Sequence, residues 1–174
     1  MATYVLVLGE RSHLLSPAID LELHSNDVVQ LLQFEDPHDV ILVGHSYGGM
    51  VVTGVADRAA DRVGRLAYLD AAYPKNGRSL VAGAGITWTR DLGKVVGGVE
   101  LVLWPTPEDE DALWAIPQFH IVCEQTLPTR DHALLDKARS ENRLWSIDTG
   151  HDLMITEPQR VANALSEVAS EVLA

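Results

Sequence analysis

A chain of 174 residues with 47% hydrophobic and 22% charged side chains has the make-up of one globular domain, 1–174, and at this length folding buries roughly 70% of the unfolded surface without a disulfide or metal staple. Its one cysteine, Cys123, excludes an internal disulfide and a cysteine-rich zinc site and points to a reducing compartment, the cytoplasm. A formal net charge of −12 repels phosphate backbones and anionic headgroups, so neither nucleic acid nor a membrane is an expected partner. The start, Met1-Ala2-Thr3-Tyr4, has no basic segment, and the apolar run after it is too short for a signal peptide or a membrane span, which again predicts a soluble intracellular protein.

In chain order, β-branched runs alternate with helical patterns. Strands are predicted over Thr3–Leu8, Asp39–Val43, Arg65–Leu69, Phe119–Cys123 and Arg143–Ile147, each apolar on both sides as in a sheet covered by helices. Ser25–Phe34 reads as a helix with Val28, Val29, Leu31 and Leu32 inward, and Gly49–Ala60 as a second, rich in small residues that allow close packing. Residues 73–117 break the rhythm, carrying Gly83, Gly85, Gly93, Gly97 and Gly98 and three tryptophans, and a short helix is expected to begin near Thr106-Pro107-Glu108. A final helix starts with Thr156 as N-cap, Pro158 in the first turn and Gln159 completing a capping box, followed by Val161, Leu165, Val168 and Val172 at helical spacing. The fold class is therefore α/β: a doubly wound, mainly parallel sheet of about five strands with a short lid insertion at 73–117.

Val40-Ile41-Leu42-Val43-Gly44-His45-Ser46-Tyr47-Gly48-Gly49 runs a buried strand into Gly-x-Ser-x-Gly and then into a helix. Such a turn is so tight that glycines two residues either side of Ser46, Gly44 and Gly48, are expected to be required on steric grounds. Ser46 then sits in strained backbone above the sheet, near a helix N-terminus whose dipole favours developing negative charge. A serine hydroxyl attacks poorly until a base takes its proton, so a histidine is needed beside it. His151 is the candidate, because it follows the last strand directly in Ile147-Asp148-Thr149-Gly150-His151-Asp152, at the sheet edge where function collects. His45 and His13 are candidates for a pocket wall; His24, His38, His120 and His132 read as packed or solvated.

The elbow Gly44-His45-Ser46-Tyr47-Gly48-Gly49-Met50, with Tyr68-Leu69-Asp70-Ala71, Gly9-Glu10-Arg11-Ser12-His13-Leu14 and Thr149-Gly150-His151-Asp152, resembles the α/β-hydrolase superfamily. Within it the chain is most similar to bacterial esterases akin to plant hydroxynitrile lyases and salicylate-binding methylesterases, over all but the lid and two further departures. The resemblance implies ester hydrolysis by a serine, a histidine and an aspartate, without a cofactor.

Two departures stand out against that family. Val7-Leu8 runs straight into Gly9-Glu10-Arg11, without the His-Gly-rich loop, helix and strand that usually intervene. That loop normally gives one backbone N–H of the oxyanion hole; the residue after the serine, here Tyr47, gives the other, so Leu8 or Gly9 has to substitute. Losing one such donor costs about a hundred- to a thousandfold in rate. The second departure is Cys123-Glu124-Gln125-Thr126-Leu127-Pro128, where the family commonly has an aspartate before Leu-Pro. Two carboxylates remain to orient His151: Asp70, at the end of the strand beside the nucleophile strand, as in the haloalkane dehalogenases, and Glu124 as the alternative. Asp70 is preferred; its other reading is a loop carboxylate capping backbone N–H groups.

Trp88, Trp104 and Trp114, with Ile86, Leu101 and Leu103, either wall an apolar pocket over Ser46 or form the lid's own core. No metal-ligand constellation or basic cluster is visible, so small to medium neutral, apolar esters are the expected substrates, with no cofactor. Two other readings stay open: a catalytically eroded ligand-binding module, and an α-hydroxynitrile lyase, which would need Lys75 or Lys94 as its basic lid residue. A homodimer is compatible with the sequence.

Overall fold

The computed structural model of the chain describes residues 19–73 and 110–171. Its elements are α1 (Leu21–Glu35), β1 (Val40–His45), α2 (Gly48–Arg58), β2 (Val63–Leu69), α3 (Glu110–Ala115), β3 (Gln118–Cys123), α4 (His132–Ser140), β4 (Leu144–Ile147), α5 (Leu153–Thr156) and α6 (Pro158–Ser170). The four described strands pair in parallel in the order β1-β2-β3-β4. The predicted strand Thr3–Leu8 and residues 74–109 of the predicted lid lie outside the described residues, as does the expected start of the lid helix near Thr106. No helix among the described residues is long and apolar enough to cross a membrane.

Alternation along the strands builds two cores. Leu66 and Tyr68 of β2 point to one face, where they meet Val28, Val29 and Leu32 of α1, Met50 and Val55 of α2, and Leu113 of α3. Ala67 and Leu69 point to the other, with Phe119, Ile121 and Ile147, beneath Leu153 of α5 and Val161, Ala164 and Val168 of α6. Helices on both faces let β2 and β3 bury apolar side chains on both sides. Six of the seven residues of β2 are more than nine-tenths buried, five of them in an unbroken run from Arg65 to Leu69.

The helix boundaries follow their caps. α1 begins four residues before the predicted Ser25, because the Asp20 side chain accepts from the Leu23 N–H at 2.9 Å. Ser25 lies inside the helix and bonds back to the Leu21 carbonyl at 2.9 Å. α4 was not predicted: only Leu135 and Ala138 are buried along it, and it depends on Asp131, whose carboxylate caps Ala133 and Leu134.

At the last helix the predicted capping box is wrong. Buried Leu153 opens the short α5, which takes Thr156 as its final residue, and Glu157 becomes the N-cap of α6 with no side-chain cap bond. The Thr156 hydroxyl meets Thr149 Oγ1 at 2.6 Å, and Gln159 bonds Asn163 at 2.9 Å. Pro158 does occupy the first turn.

Candidate active site

β1 delivers Ser46 into the left-handed region, at φ 54°, a conformation that L side chains adopt only at a cost. The neighbouring chain over-determines it. The Ser46 carbonyl accepts from Gly49 N at 3.2 Å and Ala72 N at 2.9 Å, and the Ser46 N–H donates to Leu69 at 3.4 Å. A side chain at Gly44 would put its Cβ 2.5 Å from the Gly48 carbonyl oxygen, so this motif glycine is sterically required. Gly48 is not, since a Cβ there meets nothing within 4 Å. The second crowded position is Gly49, where a Cβ would collide with the Ala72 carbonyl oxygen and the Ala71 side chain. The helix presses on the loop after β2 one residue later than the motif implies.

Beside Ser46 a hydrogen-bonded chain crosses the ends of the strands. Ser46 Oγ lies 2.9 Å from His151 Nε2, and His151 Nδ1 lies 2.6 Å from Asp70 Oδ2. Asp70 is 1% exposed and also left-handed, at φ 42°. Its Oδ1 accepts from Cys123 N at 3.2 Å and Thr126 Oγ1 at 2.7 Å, and faces Arg130 Nη2 at 2.7 Å. Burial alone would push this carboxyl up; the bonds from His151 and Thr126, the Arg130 charge and the Cys123 N–H together hold it well below the usual carboxylate range. The acid is therefore ionised at neutral pH, Nδ1 of His151 donates to it, and Nε2 is left to accept from Ser46.

His45, a candidate for the pocket wall, lies half-buried beside His151. Its Nε2–H donates to the His151 carbonyl at 3.0 Å, and the two rings lie 4.6 Å apart. Burial lowers its pKa, so it is neutral at pH 7. Tyr47 is the N-cap of α2; its ring is buried and its hydroxyl meets His24 Nδ1 at 2.9 Å. The Tyr47 N–H belongs to a helix end, where no intrahelical acceptor is available.

Glu124, the alternative acid, is exposed and accepts from Ser146 Oγ at 3.3 Å rather than from His151. Trp114 packs on Tyr73, ring centres 5.8 Å apart, at the rim of the α1–α2 core. Leu8, Gly9, His13, Trp88 and Trp104 lie outside the described residues. Among the described residues no group of three or more His, Cys, Asp and Glu side chains is placed to hold a metal ion.

Residues 9–164 match the sequence profile of the alpha/beta hydrolase family. The chain belongs to that family. A curated relative, the carbendazim hydrolyzing esterase of Nocardioides sp. (strain SG-4G), is 53% identical over 75 residues, which is 43% of this chain and 31% of that one. The matched stretch is thus about a third of the relative's length. Among solved structures, an extracellular alpha/beta-hydrolase from a Paenibacillus species superposes with a TM-score of 0.69 at 17% identity, covering 95% of this chain and 85% of that one. A methylesterase from Arabidopsis gives 0.67 at 19% identity, covering 98% and 86%. At such identities the two structures speak for the fold.

In this alpha/beta hydrolase the site residues that the sequence did not reveal are Thr126 and Arg130. The loop after β3 carries no aspartate at the place the resemblance led one to look, but it sends a hydroxyl and a guanidinium back onto Asp70 instead. The available signal was a basic side chain shortly after Leu127-Pro128, and nothing local tied it to residue 70.

Proposed function

We propose that the protein is a serine carboxylic-ester hydrolase acting on small to medium neutral, apolar esters through an acyl-enzyme at Ser46. The observation that carries this reading is the continuous Ser46–His151–Asp70 relay, with both links within hydrogen-bond length and the carboxylate ionised. As Ser46 Oγ adds to the ester carbonyl carbon, its proton passes to His151 Nε2, and Asp70 stabilises the imidazolium. The tetrahedral intermediate's oxyanion is taken by the Tyr47 N–H at the start of α2, with Leu8 or Gly9 as the second donor. When the intermediate collapses, the C–O bond to the alcohol breaks and His151 returns the proton to it. Water then adds to the acyl-Ser46 carbonyl, losing its proton to the same nitrogen, and release of the acid restores the serine.

Support for esters comes also from the Nocardioides relative, named for carbendazim hydrolysis. The acidic balance of −12 disfavours anionic substrates. The hydrogen bond between His151 and the buried Asp70 speaks against one of the two grounds of the eroded-binder reading, the missing acid. The test is to treat the protein with a fluorophosphonate and weigh it intact. The wild type should gain one adduct, while Ser46→Ala should take none and lose ester turnover with its fold retained. Labelling of the variant at the wild-type rate would overturn the proposal.

A further inference from the structure

Asp70 is held more heavily than a carboxylate that only faces a histidine needs to be. Arg130 reaches it from the loop after β3 with every part of its guanidinium in use. Nη2 pairs with the side-chain Oδ1 at 2.7 Å and donates to the Asp70 main-chain carbonyl at 2.8 Å. Nη1 donates to the Ala71 carbonyl at 2.6 Å, and Nε reaches Thr126 Oγ1 at 3.3 Å. Thr126 in turn gives its proton to Oδ1. The cation thus grips both the side chain and the two carbonyls of the turn that carries Asp70 at φ 42°.

The division of the carboxylate is the telling feature. Oδ1 receives Cys123 N–H, Thr126 Oγ1 and Arg130, whereas Oδ2 receives His151 Nδ1. Rotation of the carboxylate would break the Oδ1 bonds together, so the Oδ2 lone pair stays aimed at the histidine. A planar fork with donors on three nitrogens meets a side-chain oxygen and two carbonyls from two separate atoms; a lysine, with all three N–H donors on one nitrogen, does not reproduce that spread.

We propose that Arg130 is a positioning residue for the reaction: from the loop after β3 it locks Asp70 in the turn and rotamer that present Oδ2 to His151. The inference rests on the serine-hydrolase reading above. Arg130 acts only through Asp70 and touches neither Ser46 nor His151.

The experiment is a double-substitution cycle on the full chain, scored by p-nitrophenyl butyrate turnover and by the rate of fluorophosphonate labelling, each per folded molecule as judged by near-UV circular dichroism. Arg130→Met should lower kcat by about a hundredfold, the scale of a misplaced catalytic group, with KM within about twofold. Arg130→Lys should recover part of the loss, since it keeps the charge but not the fork. In an Asp70→Asn background Arg130→Met should add little, because the group it positions is already gone. Should Arg130→Met fold poorly, Arg130→Lys and Thr126→Val, which remove the fork or one Oδ1 donor, carry the same test. A folded Arg130 variant with wild-type kcat overturns the proposal, and so does an equal loss with and without Asp70. A wild type that neither turns over ester nor takes the label would instead strike the serine-hydrolase reading, so the two failures look different.

Discussion

Replacing Asp70 by asparagine is the sharpest perturbation of the proposed mechanism, because the structure dictates which way the amide must turn. Oδ1 sits among donors: the Cys123 N–H, the Thr126 hydroxyl and the Arg130 guanidinium. An amide NH2 placed there would face them all, so the asparagine oxygen takes the Oδ1 position and its NH2 points at His151 Nδ1. That nitrogen then has to accept, the ring proton moves to Nε2, and Nε2 can no longer take the proton of Ser46. Asparagine also tolerates the left-handed backbone of this position, so the geometry should survive. The expected outcome is a fall in kcat of about 10⁴-fold, or roughly 5 kcal/mol of lost transition-state stabilisation. The assay is turnover of p-nitrophenyl butyrate by purified protein, with near-UV circular dichroism to confirm the fold. Glu124→Gln, made in parallel, should stay within about twofold of wild type. A folded Asp70→Asn within about tenfold of the wild-type rate would refute the reasoning, for no wrong-tautomer enzyme works that well.

Two further outcomes concern the scaffold. Gly49→Ala should cost about 2–3 kcal/mol in urea unfolding, because its Cβ meets the Ala72 carbonyl and Ala71. Gly48→Ala should be neutral or stabilising by up to about 1 kcal/mol, since nothing crowds that Cβ and helical glycine is entropically costly; the reverse order would show the elbow packing to be misread. Buried His120, stacked on Tyr68, has its pKa lowered from 6.5 to about 4, mainly by burial with the Arg130 charge adding to it. The native state therefore binds fewer protons than the unfolded one between those values. Its stabilising contribution is complete above about pH 6.5 and lost as pH falls to about 4, a total of about 3 kcal/mol. His120→Phe should lose correspondingly less stability than wild type between pH 7 and 4.5, above the range where Asp70 protonation adds its own loss. Parallel stability curves would remove His120 as the cause.

What could be read from the sequence was local. Gly44-His45-Ser46-Tyr47-Gly48-Gly49 announces its own strand, turn and helix, and His151 directly follows an apolar strand, so both could be placed within a few residues. Asp70 was legible as an option because it ends a strand, but choosing it over Glu124 needed the third dimension. Arg130 and Thr126 meet Asp70 across 60 and 56 residues of chain, and no periodicity encodes such a meeting. α4 was missed because only Leu135 and Ala138 are buried on an otherwise polar helix. The error at Thr156 has the opposite cause: a good capping pattern was overridden by burial of Leu153, which started a helix earlier.

Ser46 and Asp70 end neighbouring strands whose pairing, Gly44 with Tyr68 and His45 with Leu69, sets them side by side, and the Ser46 carbonyl is bonded to Ala72 just beyond the acid. Their separation is thus written into the ladder of the sheet rather than into the length of any loop. For a lineage under mutation this makes the arrangement forgiving. Residues beyond β3 and β4 can be exchanged, lost or added, and what changes is how firmly Asp70 is gripped and how His151 arrives, while the gap between Ser46 and Asp70 stays as the paired strands set it.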